Sequence, residues 1–427
     1  MRFLSDIGPC PPRPAQSKHH LSRRRFLGGA LAAGAAASVN AQWAGQTAES
    51  PATRSPSAEP GRKIKLGVVG TGGRGCWIAG LFRRHGGYQM WAVADYFQEV
   101  ADTCGHGLGV DTSRRFSGLD GYRRLIESGV EAIALETPPY FFPEHARAAV
   151  DAGLHVYMAK PVAVDVWGCL EIEAAARKAA TLERVFLVDY QIPTDPQNIE
   201  VVRRIHAGEI GKVISINSHY FAGLFPDPAK TKNVADRFRG LVWCNDVVLG
   251  GGYHVNACIH AVDAALWIAG QRPISAMGCS RVGRGDPHGD SHDVFQLVFE
   301  FENGLVLSHR GKHLNNLTDF DVVCQAQGHV GTAQIAYGGR VASKGPNDGY
   351  NGEVQNLYEA GAVRNIAKFY QCVIDRNFEN ETVRRSVDGA LATILGREAG
   401  LRRGKVSMAE LLAEKKRLEV DLSGLRV

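Results

Sequence analysis

A glycine-rich turn wedged between a buried strand and a helix leaves few folds open to this chain. Residues 63–69, Lys-Ile-Lys-Leu-Gly-Val-Val, read as a strand that runs directly into Gly70-Thr71-Gly72-Gly73-Arg74-Gly75, ahead of a helical stretch over 76–84. This is G-x-G-x-x-G in the strand–turn–helix setting the motif requires. The first glycine permits the tight turn, the second lets backbone approach a pyrophosphate, and the third allows close helix–strand packing. Free N–H groups at the helix start attract the phosphates. The next strand, 89–94, ends in Asp95. A carboxylate there accepts both ribose hydroxyls and repels a 2′-phosphate, so NAD is expected rather than NADP.

The alternation continues with helices over 122–128, 144–152 and 165–180, and strands over 132–136, 154–158 and 185–189. Repeated β-α units predict a doubly wound parallel sheet with its ligand beyond the carboxyl ends of the strands. Two of those ends carry Thr137-Pro138-Pro139 and Ala159-Lys160-Pro161. Lys160, held between a buried strand and a proline, would point into the crevice, where its ammonium can stabilise alkoxide character on a hydroxyl.

The second half changes character. Stretches 212–222, 273–282, 293–301, 305–311, 319–327 and 331–337 read as strands, with Glu302-Asn303-Gly304 as a hairpin turn. No β-α-β alternation remains, so the fold class expected is α/β followed by α+β: a Rossmann domain, then a domain with an open, mainly antiparallel sheet presenting one face to the cofactor. A helix over 253–269 carries the apolar stripe Val255, Cys258, Ile259, Val262, Leu266 and Ala269. Asn256, His260 and Asp263 follow on a neighbouring ridge. An imidazole there suits removal of a hydroxyl proton.

Charge separates the first 41 residues from the rest. That segment holds six of the basic residues and one acid, and the remainder is balanced at net zero, which leaves no global field for nucleic acid. Ser22-Arg23-Arg24-Arg25-Phe26-Leu27, the small apolar run 28–39 and Val39-Asn40-Ala41 resemble a twin-arginine signal, cut after Ala41. The run is too short to span about 30 Å of hydrocarbon. Residues 42–61, rich in Ser, Pro and Ala, read as a flexible tether. The expected product is exported and periplasmic, with the twin-arginine machinery as a transient partner and no stable membrane span. Eight cysteines after the leader show no C-x-x-C pair, so neither a disulfide framework nor a zinc knuckle is indicated.

Two segments carry weaker signals. Asp286-Pro287-His288-Gly289-Asp290-Ser291-His292-Asp293 is rich in metal-ligand types, but Pro and Gly break it and it reads as a solvated loop, so no metal is expected. The polar stretch 224–241 reads as a cap over the substrate site, its alternative an oligomer contact.

With these residues in view, 62–403 resembles the glucose–fructose oxidoreductase, inositol dehydrogenase and rhizopine catabolism (Gfo/Idh/MocA) family. The resemblance rests on Gly70 to Gly75, Ala92-Val93-Ala94-Asp95, Thr137-Pro138, His145, Ala-Gly-Leu-His-Val at 152–156, Lys160-Pro161, and Gly250-Gly251-Gly252 followed by His260-Ala261-Val262-Asp263. It implies a Rossmann domain over 62–190, an α+β substrate and oligomerisation domain over 191–381, and C-terminal helices over 382–427 that brace the Rossmann domain. It also implies that Thr137, Pro138, His145, Lys160 and Pro161 join the cofactor-binding set, that Lys160 and His260 are catalytic, with Asn256 expected beside them in the catalytic set, and that subunits pair into a homo-oligomer. Ala159 replaces the family motif's usual glutamate, and Asn256 stands where many members have an aspartate four residues before the histidine.

The expected activity is NAD-dependent oxidation of a secondary hydroxyl on a sugar, polyol or glycoside, with tightly retained cofactor. Two alternatives stay open: a glycoside hydrolase or lyase that uses transient oxidation with no net redox change, and a catalytically silent sugar-binding protein, which the two departures motivate.

Overall fold

The computed structural model describes residues 61–379 and 382–427. The leader and all but the last residue of the tether lie outside the described residues. Six strands, β1 (Ile64–Val69), β2 (Tyr88–Asp95), β3 (Arg115–Ser117), β4 (Ala132–Leu135), β5 (His155–Ala159) and β6 (Phe186–Asp189), form a parallel sheet ordered β3-β2-β1-β4-β5-β6. Such sheets are covered on both faces, and β4 and β6 are accordingly buried along their whole length. Helices α1 (Gly73–His85), α2 (Gln98–Leu108), α3 (Gly121–Glu127), α4 (Phe142–Asp151) and α5 (Val166–Thr181) supply the cover. Strand order reverses between β1 and β4, which opens the ligand crevice at their carboxyl ends.

After α6 (Pro196–His206), the chain builds a nine-stranded sheet from β7 (Val213–Ala222), β8 (Ser275–Arg281), β9 (Val294–Glu300), β10 (Val306–His313), β11 (Asp321–Gly328), β12 (Thr332–Ala336), β13 (Gly339–Lys344), β14 (Gly349–Val354) and β15 (Val406–Ser407). Their order is β14-β13-β12-β11-β7-β10-β9-β8-β15. Only the β7–β10 pair is parallel, so the sheet is mixed but mainly antiparallel, as expected. Strand β10 shows the side-chain logic: Leu307, His309, Gly311 and His313 are buried, while Val306 and Arg310 are exposed.

The buried face meets helices rather than the crevice. After α7 (Val247–Gly250), a π turn over His254–Cys258 leads into α8 (Ile259–Ala269), which lies on β7 and β11. Helix α9 (Leu357–Ile374) crosses to pack on α1, α10 (Thr382–Arg402) packs against α5, α8 and β8, and α11 (Met408–Glu414) follows. The covered face reaches His260 through Tyr220, with rings 6.1 Å apart, and Tyr337 beyond β12 also meets it, at 5.4 Å, while the other face of the sheet stays exposed. The final segment returns to the first sheet's helices: Leu418 N–H donates to Asp165 at 2.6 Å and Leu119 N–H to the Arg426 carbonyl at 2.9 Å. No helix among the described residues is long and apolar enough to cross a membrane.

Candidate active site

A cavity of about 960 Å³ opens over the glycine-rich turn, bounded by Gly70, Thr71, Gly72, Gly73, Arg74, Gly75, Asp95, Thr137, Pro138 and His145. Two glycines are structurally forced. Gly70 has φ +86°, and a Cβ there would meet the Glu136 carbonyl carbon at 2.6 Å; at Gly75 it would meet the Gly70 oxygen at 1.7 Å. Gly72 and Gly73 differ, because nothing lies within 4 Å of a Cβ at either position. Their freedom leaves backbone N–H groups bare at the start of α1, where no side chain caps the helix. Buried atoms without partners also gather here: Thr71 Oγ1, Thr137 Oγ1 and His145 Nδ1. A cradle of bare donors on a helix start fits a dinucleotide phosphate.

Asp95 ends β2 at the rim. Its carboxylate accepts from Thr71 N at 2.8 Å and Phe97 N at 3.1 Å; burial lifts its pKa while those two N–H groups pull it down, with burial prevailing. His145 is sandwiched against Tyr122, at 4.1 Å between rings, and Phe141, at 5.8 Å. Burial lowers its pKa to about 3, so it is a neutral ring in the cavity wall.

The Arg74 side chain turns across the strand ends. It donates to Glu136 at 3.1 Å and to Asp189 at 2.5 Å, and Asn365 of α9 donates to the other Asp189 oxygen at 2.6 Å. Burial opposes the arginine's charge, but the two carboxylates outweigh it. Burial raises Glu136 to about 7 against the pull of Arg74. Neither acid belongs to the site expected from the sequence, although the strand-end rule that selects Lys160 applies equally to both. Helix α9 adds Tyr358, whose hydroxyl accepts from Arg74 at 3.1 Å and whose ring stacks on Trp77 at 4.6 Å.

Beyond this network, Lys160 follows β5, joined to Pro161 by a cis peptide. Its ammonium donates to the main-chain carbonyl of Asn256 at 2.8 Å. Burial, then the Arg74 charge, lowers its pKa to about 8. His260 packs among Tyr190, Tyr220 and Tyr337, and its Nδ1 is buried without a partner. Burial, assisted by Lys160 and Arg74, pushes its pKa well below 6.5. Lys160, Pro161, Asn256 and His260 are not among the residues that wall the large cavity.

The helical segment carrying Asn256 and His260 departs from the simple spacing. The π turn gives Asn256 a different task from the one its position in the sequence suggests: its carbonyl holds Lys160 and its side-chain oxygen accepts from Cys244 at 3.4 Å. Asp263 turns away into a bidentate pair with Arg385, both contacts 2.6 Å.

The polar stretch 224–241 ends as a strap over the nucleotide cavity. Phe238 packs edge-on against Tyr96 and Phe141, and Arg239 lies over Phe97 and bonds Glu99 at 2.5 Å. The 286–293 stretch is only partly solvated. Asp286 is exposed, but Ser291 and Asp293 are buried, and Arg284 joins Asp293 at 2.5 Å to Asp227 at 2.8 Å. Its histidines part company, His288 toward Asp286 and His292 toward Ser280. The stretch anchors the base of the strap, since Asp227 also binds Arg237 at 2.7 Å.

Known proteins share both halves. Residues 64–187 match the family described as oxidoreductase family, NAD-binding Rossmann fold, and 199–333 match the GFO/IDH/MocA C-terminal domain. The NAD-dependent scyllo-inositol 2-dehydrogenase of Bacillus subtilis is 24% identical over 246 residues, 57% of this chain and 65% of that enzyme. The chain spans less than two thirds of the length of the curated relatives it matches first. The aldose-aldose oxidoreductase of Caulobacter crescentus shares the fold at TM-score 0.66 and 18% identity, covering 81% of this chain and all of that one. So does an inositol dehydrogenase homolog from Azotobacter vinelandii solved with NAD+, at 0.69 and 20%, covering 82% and 99%. The two matched regions follow one another over more than half of the sequence, the first spanning the parallel sheet and the second the strands β7 to β11, and the chain belongs to the Gfo/Idh/MocA oxidoreductase family, with NAD as its cofactor.

Proposed function

We propose that the protein oxidises a secondary hydroxyl of a sugar, polyol or glycoside. The observation that supports this most is the joining of Lys160 at the end of β5 to the turn that precedes His260, beside a cavity sized for a dinucleotide. Gly72, Gly73 and the start of α1 would hold the pyrophosphate, Asp95 the ribose, and Thr137 and His145 the wall near the nicotinamide. Bound nicotinamide supplies a hydride acceptor. Lys160 presents a cation to the substrate oxygen, and His260 offers a ring nitrogen for the hydroxyl proton. Tyr220 and Tyr337 fix the plane of that ring.

The arginine pair in the leader supports export of a folded, loaded protein to the periplasm, where free NAD is scarce. The strap over the cavity is in keeping with a retained cofactor that a second sugar reoxidises. The outer face of the second sheet, with Gln296, Arg310 and Gln325 exposed, is the surface on which subunits would pair. Mass spectrometry of protein purified after native export tests the reading, with NAD found at one per chain and ketose or lactone formed when a second sugar is offered. Release of the aglycone from an aryl glycoside without added NAD would favour the hydrolase instead, and protein with no NAD affinity would overturn both.

A further inference from the structure

Behind the helix that carries His260 lies a cluster that the proposed chemistry does not use. His254, Cys258 and His309 are all fully buried, and one ligating atom from each lies within 4.8 Å of the others. His254 and Cys258 sit at the two ends of the π turn, and His309 comes from the middle of β10 on the covered face of the sheet. The His309 Nδ1 is bonded to the Ser218 hydroxyl at 2.8 Å, which leaves Nε2 aimed inward without a partner. Neither nitrogen of His254 has a partner. An unpaired polar atom in a protein interior is costly, and these nitrogens need an explanation, which a bound ion supplies for one nitrogen of each ring.

The surroundings make room for these groups. A Cβ on Gly396 would stand 2.5 Å from His254 Nε2, and one on Gly311 would stand 2.7 Å from Cys258 Sγ. His254 stacks on Phe295 at 4.7 Å, and Ser218 sits on the Nδ1 side of His309, where a hydroxyl that accepts from Nδ1 serves as the outer partner of an imidazole ligating through Nε2. We propose that His254, Cys258 and His309 bind a soft monovalent cation of the copper(I) type.

Charge decides between cations. Ligation needs the thiolate, so uptake releases one proton from Cys258. A divalent ion with one thiolate would leave a net positive charge in the core, and no carboxylate belongs to the cluster to offset it. The Arg397 guanidinium also disfavours a positive charge at His254, and it is itself held by Glu398 and by the Val164 and Gly251 carbonyls. Copper(I) with a thiolate is neutral, accepts three ligands and prefers sulfur and imidazole. The site would brace the π turn whose Asn256 carbonyl holds Lys160, which makes it a structural support rather than a redox centre.

The test uses the full chain produced in medium supplemented with copper and zinc. After purification it is challenged anaerobically with excess bathocuproine disulfonate, then assayed for bound metal and by X-ray absorption. About one copper per chain should resist the chelator until the protein is unfolded, with one sulfur and two nitrogen ligands. Cys258→Ala and His309→Gln should lose it, while Cys279→Ser, which removes the exposed thiol, should keep it. Should both core variants fail to fold, the ligand set of the wild-type copper decides. Copper stripped from the native protein, copper retained in a folded Cys258→Ala variant, or zinc held in its place would overturn the assignment.

Discussion

Lys160 is held by the main chain of residue 256 and not by its side chain, since its ammonium donates to the Asn256 carbonyl at 2.8 Å. Replacing the Asn256 side chain therefore leaves the lysine's acceptor in place. Asn256→Ala is expected to change kcat only slightly, whereas Lys160→Ala should cost about 10²–10³-fold, the usual penalty for losing one oxyanion donor. Steady-state rates on any accepted sugar compare the two.

The Lys160 pKa of about 8 sets a pH dependence. The ammonium is present below that value, so kcat/KM should fall as pH rises through about 8, and Lys160→Arg should move this limb upward. Stability runs the other way. A depressed pKa contributes fully above the unfolded value of 10.5, and the contribution is lost as pH falls through about 8. Lys160→Met should consequently melt higher than the parent at pH 7, with the difference shrinking toward pH 10 in calorimetry.

The glycine turn separates a folding role from a binding role. Gly75→Ala forces a methyl into the Gly70 carbonyl and should destabilise the protein by about 1–3 kcal/mol or more in denaturant titrations. Gly73→Ala meets open space, so the protein should melt normally yet bind NAD weakly in fluorescence titration. Equal melting of the two variants would contradict the geometry.

Opening the strap should speed release of NAD. The Arg239–Glu99 pair is half-exposed and screened by solvent, so it holds the strap less than the Phe238 contacts, at about 0.5–1.5 kcal/mol each. Phe238→Ala should raise the dissociation rate about tenfold with little change in association, and Arg239→Ala should do less. Stopped-flow displacement of bound NADH reads both.

Arg385→Met leaves the fully buried Asp263 carboxylate without its partner. Removing one member of such a pair costs about 3–5 kcal/mol. The loss should appear in chemical denaturation, while NAD affinity stays unchanged because the pair lies away from the cavity wall.

The parts of this architecture written in local sequence were readable from it. Strand β1, its glycine turn and α1 are contiguous, and the first and last glycines of the turn, Gly70 and Gly75, each have a geometric task. Other parts depend on distant partners. Arg74 reads as one more residue of the turn until Glu136, 62 positions on, and Asp189, 115 positions on, pull its side chain over the strand ends. Strands β13 and β14 hide in a glycine-rich stretch because pairing along the edge of a sheet forms them, not their own propensity. Helix α2 holds two glycines and is not legible in its own sequence, since burial of Ala101, Cys104 and Leu108 overrides weak helix formers. The π turn cannot be told from an ordinary helical one by periodicity, and it is what reassigns Asn256.

The return of α9 onto α1 and of the last segment onto Asp165 and Leu119 laces the second half of the polypeptide back through the first. Truncation near residue 190 would strip away Asn365 and Tyr358, and with them the support of Asp189 and Arg74. The nucleotide-binding half is thus no autonomous module, and engineering by domain exchange would have to carry α9 along with it.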